Sequence, residues 1–200
     1  MADAVRLFEA LGKPNVMIKV PACAEGLPAI EELIARGINV NVTLIFSMSC
    51  YLDVANAYIR GLERRAAAGH SVERIGSVAS FFVSRIDSTI DSELGQRIRR
   101  TEDAVERAKL EALVGKVAIA NAKVAHAAYR DLFEGERFAA LREKGALPQR
   151  QLWASTGTKN PEYSDVLYID QLIGANTVNT VPPATYAAAR DHATAAITLT

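Results

Sequence analysis

The chain has 200 residues and half of them are apolar, enough for one sizeable core and for a single domain spanning 1–200. Lysine plus arginine number 23 and aspartate plus glutamate 23, so the net charge is zero, and no strongly basic or acidic surface points to nucleic acid or a membrane as partner. No apolar run approaches the ~20 residues that cross a bilayer, and Cys23 and Cys50 lack metal-like spacing; no metal is expected, and a reduced, cytoplasmic setting is the simplest reading.

Residues 1–12 read as an amphipathic helix without the basic and apolar regions of a signal peptide. Residues 15–22 are β-branched and end at a proline. Residues 28–37 are helical and stop at Gly37. Residues 38–47, INVNVTLIFS, alternate with period two and predict a strand. Helical spacing over 51–69 is followed by a third strand over 75–86 and a helical region over 88–144. Strands over 151–157 and 175–181 flank a helix over 163–174, and a last helix covers 183–193. There is no internal repeat.

Five strands alternating with helices imply parallel βα units. An open doubly wound sheet and part of a (β/α)8 barrel both fit that number. Strands of a doubly wound sheet are covered by helices on both faces and should be apolar on both. Here one face of 38–47 carries Ile38, Val40, Val42 and Leu44, and the other carries Asn39, Asn41 and Thr43. In NVMIKV the apolar face is Val16, Ile18 and Val20, with Lys19 and Met17 opposite. One apolar face for outer helices and one face turning polar toward the strand ends favours the barrel.

Lys19 is the first candidate for chemistry. An ammonium buried at a strand end is costly, and burial favours the free amine, a nucleophile toward ketones. The alternative is an edge lysine reaching solvent. Asn41 and Thr43 lie beside Lys19 if the two strands are neighbours, and such groups suit sugar hydroxyls and a catalytic water. Arg85, at a strand-to-helix junction, suits a phosphate held bidentately or a surface salt bridge with Asp87. The STGTKNP turn of 155–161 can offer backbone N–H groups to a phosphate or serve as an ordinary loop. His70, His126 and His192 have no partner at ligand or triad spacing and read as structural or solvated. Cys23 reads as a small buried filler.

The stretches IKVPA, EGLPAI, GINVNVTLIFS, SVASFFVSRID, LWASTGTKNP and NTVNTVPP, in that order, resemble transaldolase, particularly the bacterial type found alone or fused to phosphoglucose isomerase. The resemblance implies an incomplete TIM barrel of about five βα units, strands four to eight. It makes Lys19 the Schiff-base lysine and Asn41 and Thr43 polar catalytic-site residues. It places Ser80, Phe82 and Arg85 on the sixth strand's substrate segment and makes Ser155, with Lys159, a phosphate contact. It implies no cofactor. The expected partners are sugar phosphates: fructose 6-phosphate, sedoheptulose 7-phosphate, erythrose 4-phosphate and glyceraldehyde 3-phosphate. The family's acid/base aspartate and water-positioning glutamate lie on strands absent from this sequence, and threonine is expected where Cys23 stands. The expectation is therefore a transaldolase fragment with impaired activity. The alternatives are a non-catalytic partial barrel needing its missing strands, or another class I aldolase.

Overall fold

The structure is a computed structural model that describes residues 1–199. The elements begin with α1 (Ala2–Leu11), β1 (Ile18–Pro21), α2 (Gly26–Ala35), β2 (Val40–Ile45), α3 (Met48–Ala67), β3 (Ser77–Phe82) and α4 (Ser84–Arg100). They continue with α5 (Ala104–Glu111), α6 (Val117–Glu134), α7 (Glu136–Arg142), β4 (Arg150–Ala154), α8 (Leu167–Asp170), β5 (Thr177–Asn179) and α9 (Pro183–His192). The chain divides into two units: Met1–Phe81 with Ala125–Leu152, and Phe82–Val124 with Trp153–Thr200.

In the first unit β1, β2 and β3 run parallel, each beside its chain neighbour. Ile18, Val20, Val40 and Val42 are buried, as the period-two pattern predicts. On the same face, Ser77 donates from Oγ to the Val40 carbonyl at 2.7 Å and accepts from Gln149 Nε2 at 2.9 Å. Asn39, grouped by the pattern with Asn41 and Thr43, does something else: it pins the lower end of the sheet. Its Nδ2 donates to the Pro14 and Val16 carbonyls, and its Oδ1 accepts from the Gly76 N–H. Helices α2 and α3 pack closely, and Ile30, Leu33, Ile34, Tyr58 and Ile59 are among the fully buried residues they bring to the core. Four buried aliphatic side chains of this kind supply roughly 1.5–3 kcal/mol each.

In the second unit the Val83 N–H donates to the Ala154 carbonyl and the Thr180 N–H to the Trp153 carbonyl. The strand order is therefore β1-β2-β3-β4-β5, sequential throughout. The architecture is α/β with a parallel sheet. The expected helical region over 88–144 is broken into separate helices. Asp103 caps the start of α5 by accepting from the Val105 and Glu106 N–H groups, and Gly115, at φ +72°, precedes α6. The helix expected over 163–174 covers only Leu167–Asp170, and the strand expected to reach residue 86 stops at Phe82, where α4 takes over.

One departure bears on the polar face. Val42 pairs with Ala79 but Ile45 pairs with Phe81, so β2 holds one residue more than β3 over that stretch. Leu44 takes up the extra residue at φ +65° and is 43% exposed, leaving Ile45 fully buried. A leucine in that backbone region costs about 1–2 kcal/mol, and bulges of this kind re-aim side chains beside functional sites. The alternation that puts Leu44 on the apolar face fails because the bulge resets it. Replacing Leu44 by asparagine, which tolerates φ above zero, should leave the urea midpoint unchanged or higher, whereas Leu44→Val should lose about 1–2 kcal/mol. Equal stability of the two variants in urea titrations would show that Leu44 carries no strain.

Candidate active site

In the first unit the register sets Lys19 opposite Asn41 and Pro21 opposite Thr43. Paired residues of neighbouring strands share a face, so Lys19 and Asn41 project together. Asn41 is in turn opposite Val78, and Ser80, two residues further on that face, donates from Oγ to Asn41 Oδ1 at 2.7 Å. That bond occupies the amide oxygen and fixes which way the NH2 group points. Ser80 is 2% exposed and Thr43 7%, and Asn41 is half-buried. Lys19 is exposed on β1, which matches the alternative of an edge lysine reaching solvent.

The loop after β1 departs from expectation at Cys23, which is exposed rather than a buried filler. Its thiol hydrogen-bonds the fully exposed Glu25 carboxylate, which backbone hydrogen bonding and that thiol hold below the usual range. The turn forms because the Cys23 carbonyl accepts from the N–H groups of Gly26 and Leu27 as α2 starts. A side chain at Gly26 would collide with the Pro21 carbonyl oxygen, so this close approach requires glycine.

In the second unit Arg85 opens the first turn of α4, exposed, with its guanidinium 4.7 Å from the centre of the Phe82 ring. It makes no ion pair with Asp87. That carboxylate is 1% exposed and accepts from Tyr168 Oη at 2.7 Å and from the Ala118 N–H at 2.8 Å. Ser155 sits at φ +58°, its hydroxyl 2.9 Å from that of Ser84, while the Ser84 N–H donates to the Ser155 carbonyl. Lys159 is exposed and borders a cavity of about 300 Å³ whose wall includes Ser84, Asp87, Asp91 and Tyr163. Sequence reasoning missed Ser84 as the partner of Ser155. Its place directly before Arg85 was the available signal.

The electrostatics of that second unit centre on two carboxylates. Burial, ahead of the neighbouring Asp91 charge, raises Asp87 above the usual carboxylate range, and the bonds from Tyr168 and Ala118 oppose the shift. Asp91 accepts from Tyr163 Oη at 2.7 Å, and burial together with that carboxylate pushes the Tyr163 phenol up to about 12. His192, read as structural or solvated, is exposed and bonds Asp165 at 2.8 Å and Asp191 at 3.1 Å, and those bonds raise its pKa. The buried His126 lies 2.9 Å from Gln151 Oε1 through Nδ1. Among the described residues no group of three or more His, Cys, Asp or Glu side chains could hold a metal, and no helix is long and apolar enough to cross a membrane.

Parallel βα units, with a lysine and an asparagine opposite each other on neighbouring strands and a serine hydroxyl bonded to that asparagine, define an α/β protein with a polar sheet face. The chain belongs to the transaldolase/fructose-6-phosphate aldolase family, whose sequence model matches residues 1–199. It is 55% identical over 192 residues to a transaldolase of Trichodesmium erythraeum, covering 96% of this chain and 50% of that one. It is 53% identical over 191 residues to transaldolase 2 of a Nostoc species, with 95% and 50% covered. It is 52% identical over 193 residues to a transaldolase of Saccharopolyspora erythraea, with 96% and 50% covered. The chain thus spans about half the length of the curated relatives it matches.

The raised pKa of Asp87 sets a sign. Its folded value lies above its unfolded one, so ionised Asp87 destabilises the fold at neutral pH, and the penalty fades as pH falls through the raised value toward 3.8. Measured between pH 7 and pH 4, the stability of the wild-type chain relative to Asp87→Asn should therefore rise as pH falls. A difference independent of pH in urea titrations would show that Asp87 ionises as freely in the folded chain as in the unfolded one.

Proposed function

We propose that the chain carries the Schiff-base part of a transaldolase active site, within a (β/α)8 barrel of which it holds about five βα units. What supports this most directly is the β1–β2 register, which sets Lys19 opposite Asn41, itself held by Ser80. The Lys19 amine attacks the C2 carbonyl of fructose 6-phosphate or sedoheptulose 7-phosphate, and the carbinolamine loses water to give an iminium. That cation takes up the electron pair released when the C3–C4 bond breaks, and glyceraldehyde 3-phosphate or erythrose 4-phosphate departs. The three-carbon dihydroxyacetone unit stays bound as an enamine until an acceptor aldose adds to it. Asn41 and Thr43 serve the substrate hydroxyls and the water of the imine steps. Arg85, steadied on the Phe82 ring, takes the phosphate with Ser155 and Lys159, and the setting is cytoplasmic. The reaction needs no metal or organic cofactor.

A second reading concerns the 200 residues by themselves. The relatives are twice as long, and among the described residues β1 pairs only with β2, leaving its other edge open. Parallel barrels depend on closure. The chain alone is then a partial barrel, nearly inactive and prone to pair through β1, and it recovers activity when the remaining strands are supplied in cis or as a separate fragment. Another class I aldolase is separated from transaldolase by product analysis with and without an acceptor aldose.

Borohydride reduction with fructose 6-phosphate should trap an adduct on Lys19 in the chain completed by the remaining strands, and little or none in the 200-residue chain alone. An adduct on another lysine, or one that survives Lys19→Ala, sinks the assignment. In the completed protein Arg85→Ala should weaken binding of phosphorylated sugars about ten-fold or more while sparing dihydroxyacetone, because a charge-assisted bond contributes about 1.5–3 kcal/mol. Equal losses for both would make Arg85 a structural residue.

A further inference from the structure

We propose that Cys23 and Cys50 form a reversible intramolecular disulfide that ties the β1–α2 loop to the first turn of α3. The two are the chain's only cysteines, and they border one cavity of about 270 Å³ together with Ala22, Leu27, Ser49 and Asp53. Cys50 is fixed in place: its N–H donates to the Ser47 side chain that caps α3, and its thiol donates to the Ala22 carbonyl at 3.5 Å. That carbonyl belongs to the residue before Cys23. A carbonyl oxygen and the next Cα lie about 3 Å apart across a trans peptide, so the Cys23 Cα is within about 6.5 Å of the Cys50 sulfur. A disulfide brings the two Cβ atoms to about 3.8 Å with the Cα atoms about 5.5–6 Å apart. A side-chain rotation at Cys23 with a small movement of its exposed loop covers the difference. The thiols also sense each other: burial pushes the Cys50 thiol up, and the Asp53 and Cys23 charges add to that.

The chemistry assigns different parts to the two sulfurs. Cys23 is exposed and meets an oxidant first, while Cys50 is half-buried and held against the Ala22 carbonyl. With hydrogen peroxide as oxidant, the Cys23 sulfur takes one oxygen atom, becoming a sulfenic acid, and one water leaves. The Cys50 sulfur then attacks the Cys23 sulfur, the S–S bond forms, and the sulfenic hydroxyl departs with the Cys50 proton as a second water. Two electrons pass from the thiol pair to the peroxide, and a dithiol reductant returns them. In a reducing compartment such a pair is transient and redox-sensing rather than a permanent brace. The bridge restrains the loop that begins three residues after Lys19 and stands at the C-terminal ends of both β1 and β2.

The test is mild peroxide treatment of the full chain, alkylation of remaining thiols, and peptide mass spectrometry, beside Cys23→Ser and Cys50→Ser. The expected result is one peptide pair joined through Cys23 and Cys50, lighter by two hydrogens, with no alkylated cysteine. Dithiothreitol should restore both thiols, and either substitution should abolish the bridge. Cys50→Ser should leave Cys23 as a sulfenic acid that a dimedone probe captures. Circular dichroism of each variant establishes that it is folded, and the wild-type result stands alone if one is not. Two thiols still open to alkylation, over-oxidation of Cys23 alone, or only intermolecular bridges in the wild-type chain would overturn the proposal.

Discussion

The in-register pairing of β1 with β2 is the constraint on which the rest of this fold's chemistry depends. Ile18, Val20, Val40 and Val42 are buried on one face, and the two-residue period then leaves Lys19 and Asn41 together on the other. A slip of one residue would bury the lysine and expose the valines, so the apolar side of the sheet enforces the polar side. The direction of the N–H groups adds a second constraint. Ile18 and Ala22 donate to the carbonyls of Asn39 and Thr43, which leaves the backbone nitrogens of Lys19 and Pro21 facing the outer edge of β1. A proline is tolerated at position 21 because the N–H it lacks is not one that β2 needs.

Each unit also fastens itself with buried and half-buried polar groups rather than with apolar contact alone. In the first, Asn39 reaches Pro14, Val16 and Gly76, and Gln149 is linked through Ser77 to Val40. In the second, Asp87 joins Tyr168 to the start of α6, and Asp91 joins Tyr163 to Gly115. Surface ion pairs such as Arg64 with Glu31 and Glu32 contribute little by comparison, because both partners reach water. The buried groups cost desolvation, and leaving one of them unpaired costs about 1–3 kcal/mol. They therefore specify one arrangement of strands and helices more than they stabilise it.

What could be read from the sequence follows from which signals are local. The alternation in IKV and VNV is a two-residue signal, and it correctly predicted the buried face and the company of Lys19. The order of strands and helices was legible for the same reason. The bulge at Leu44 was not, because it is set by pairing with a strand more than thirty residues away. A salt bridge to Asp87, two residues distant, is one of the two alternatives the sequence leaves open for Arg85, whereas the hydrogen bonds of Asp87 come from Ala118 and Tyr168, which only the fold brings near. Cys23 failed similarly: a small residue after an apolar strand suggests filler, and the turn that exposes it depends on carbonyl bonding to Gly26 and Leu27. For Arg85 and the turn holding Ser155 and Lys159 the residues alone leave phosphate binding and an ordinary surface role both open, and only the resemblance chooses between them, since a guanidinium and a serine-rich turn look the same on any surface.

The division of each unit into two stretches of chain has a consequence for synthesis. The first unit needs Ala125–Leu152 to be whole, yet Phe82–Val124, made in between, belongs to the other unit. After Phe81 emerges, about 70 further residues must be added before Leu152 is present, roughly 4–14 s at about 5–20 residues per second. During that interval Val40, Val42 and Val78 stand on an unfinished sheet, with no later strand to cover its edge. The ribosome-bound chain, rather than the finished protein, is thus the form with most to gain from a chaperone.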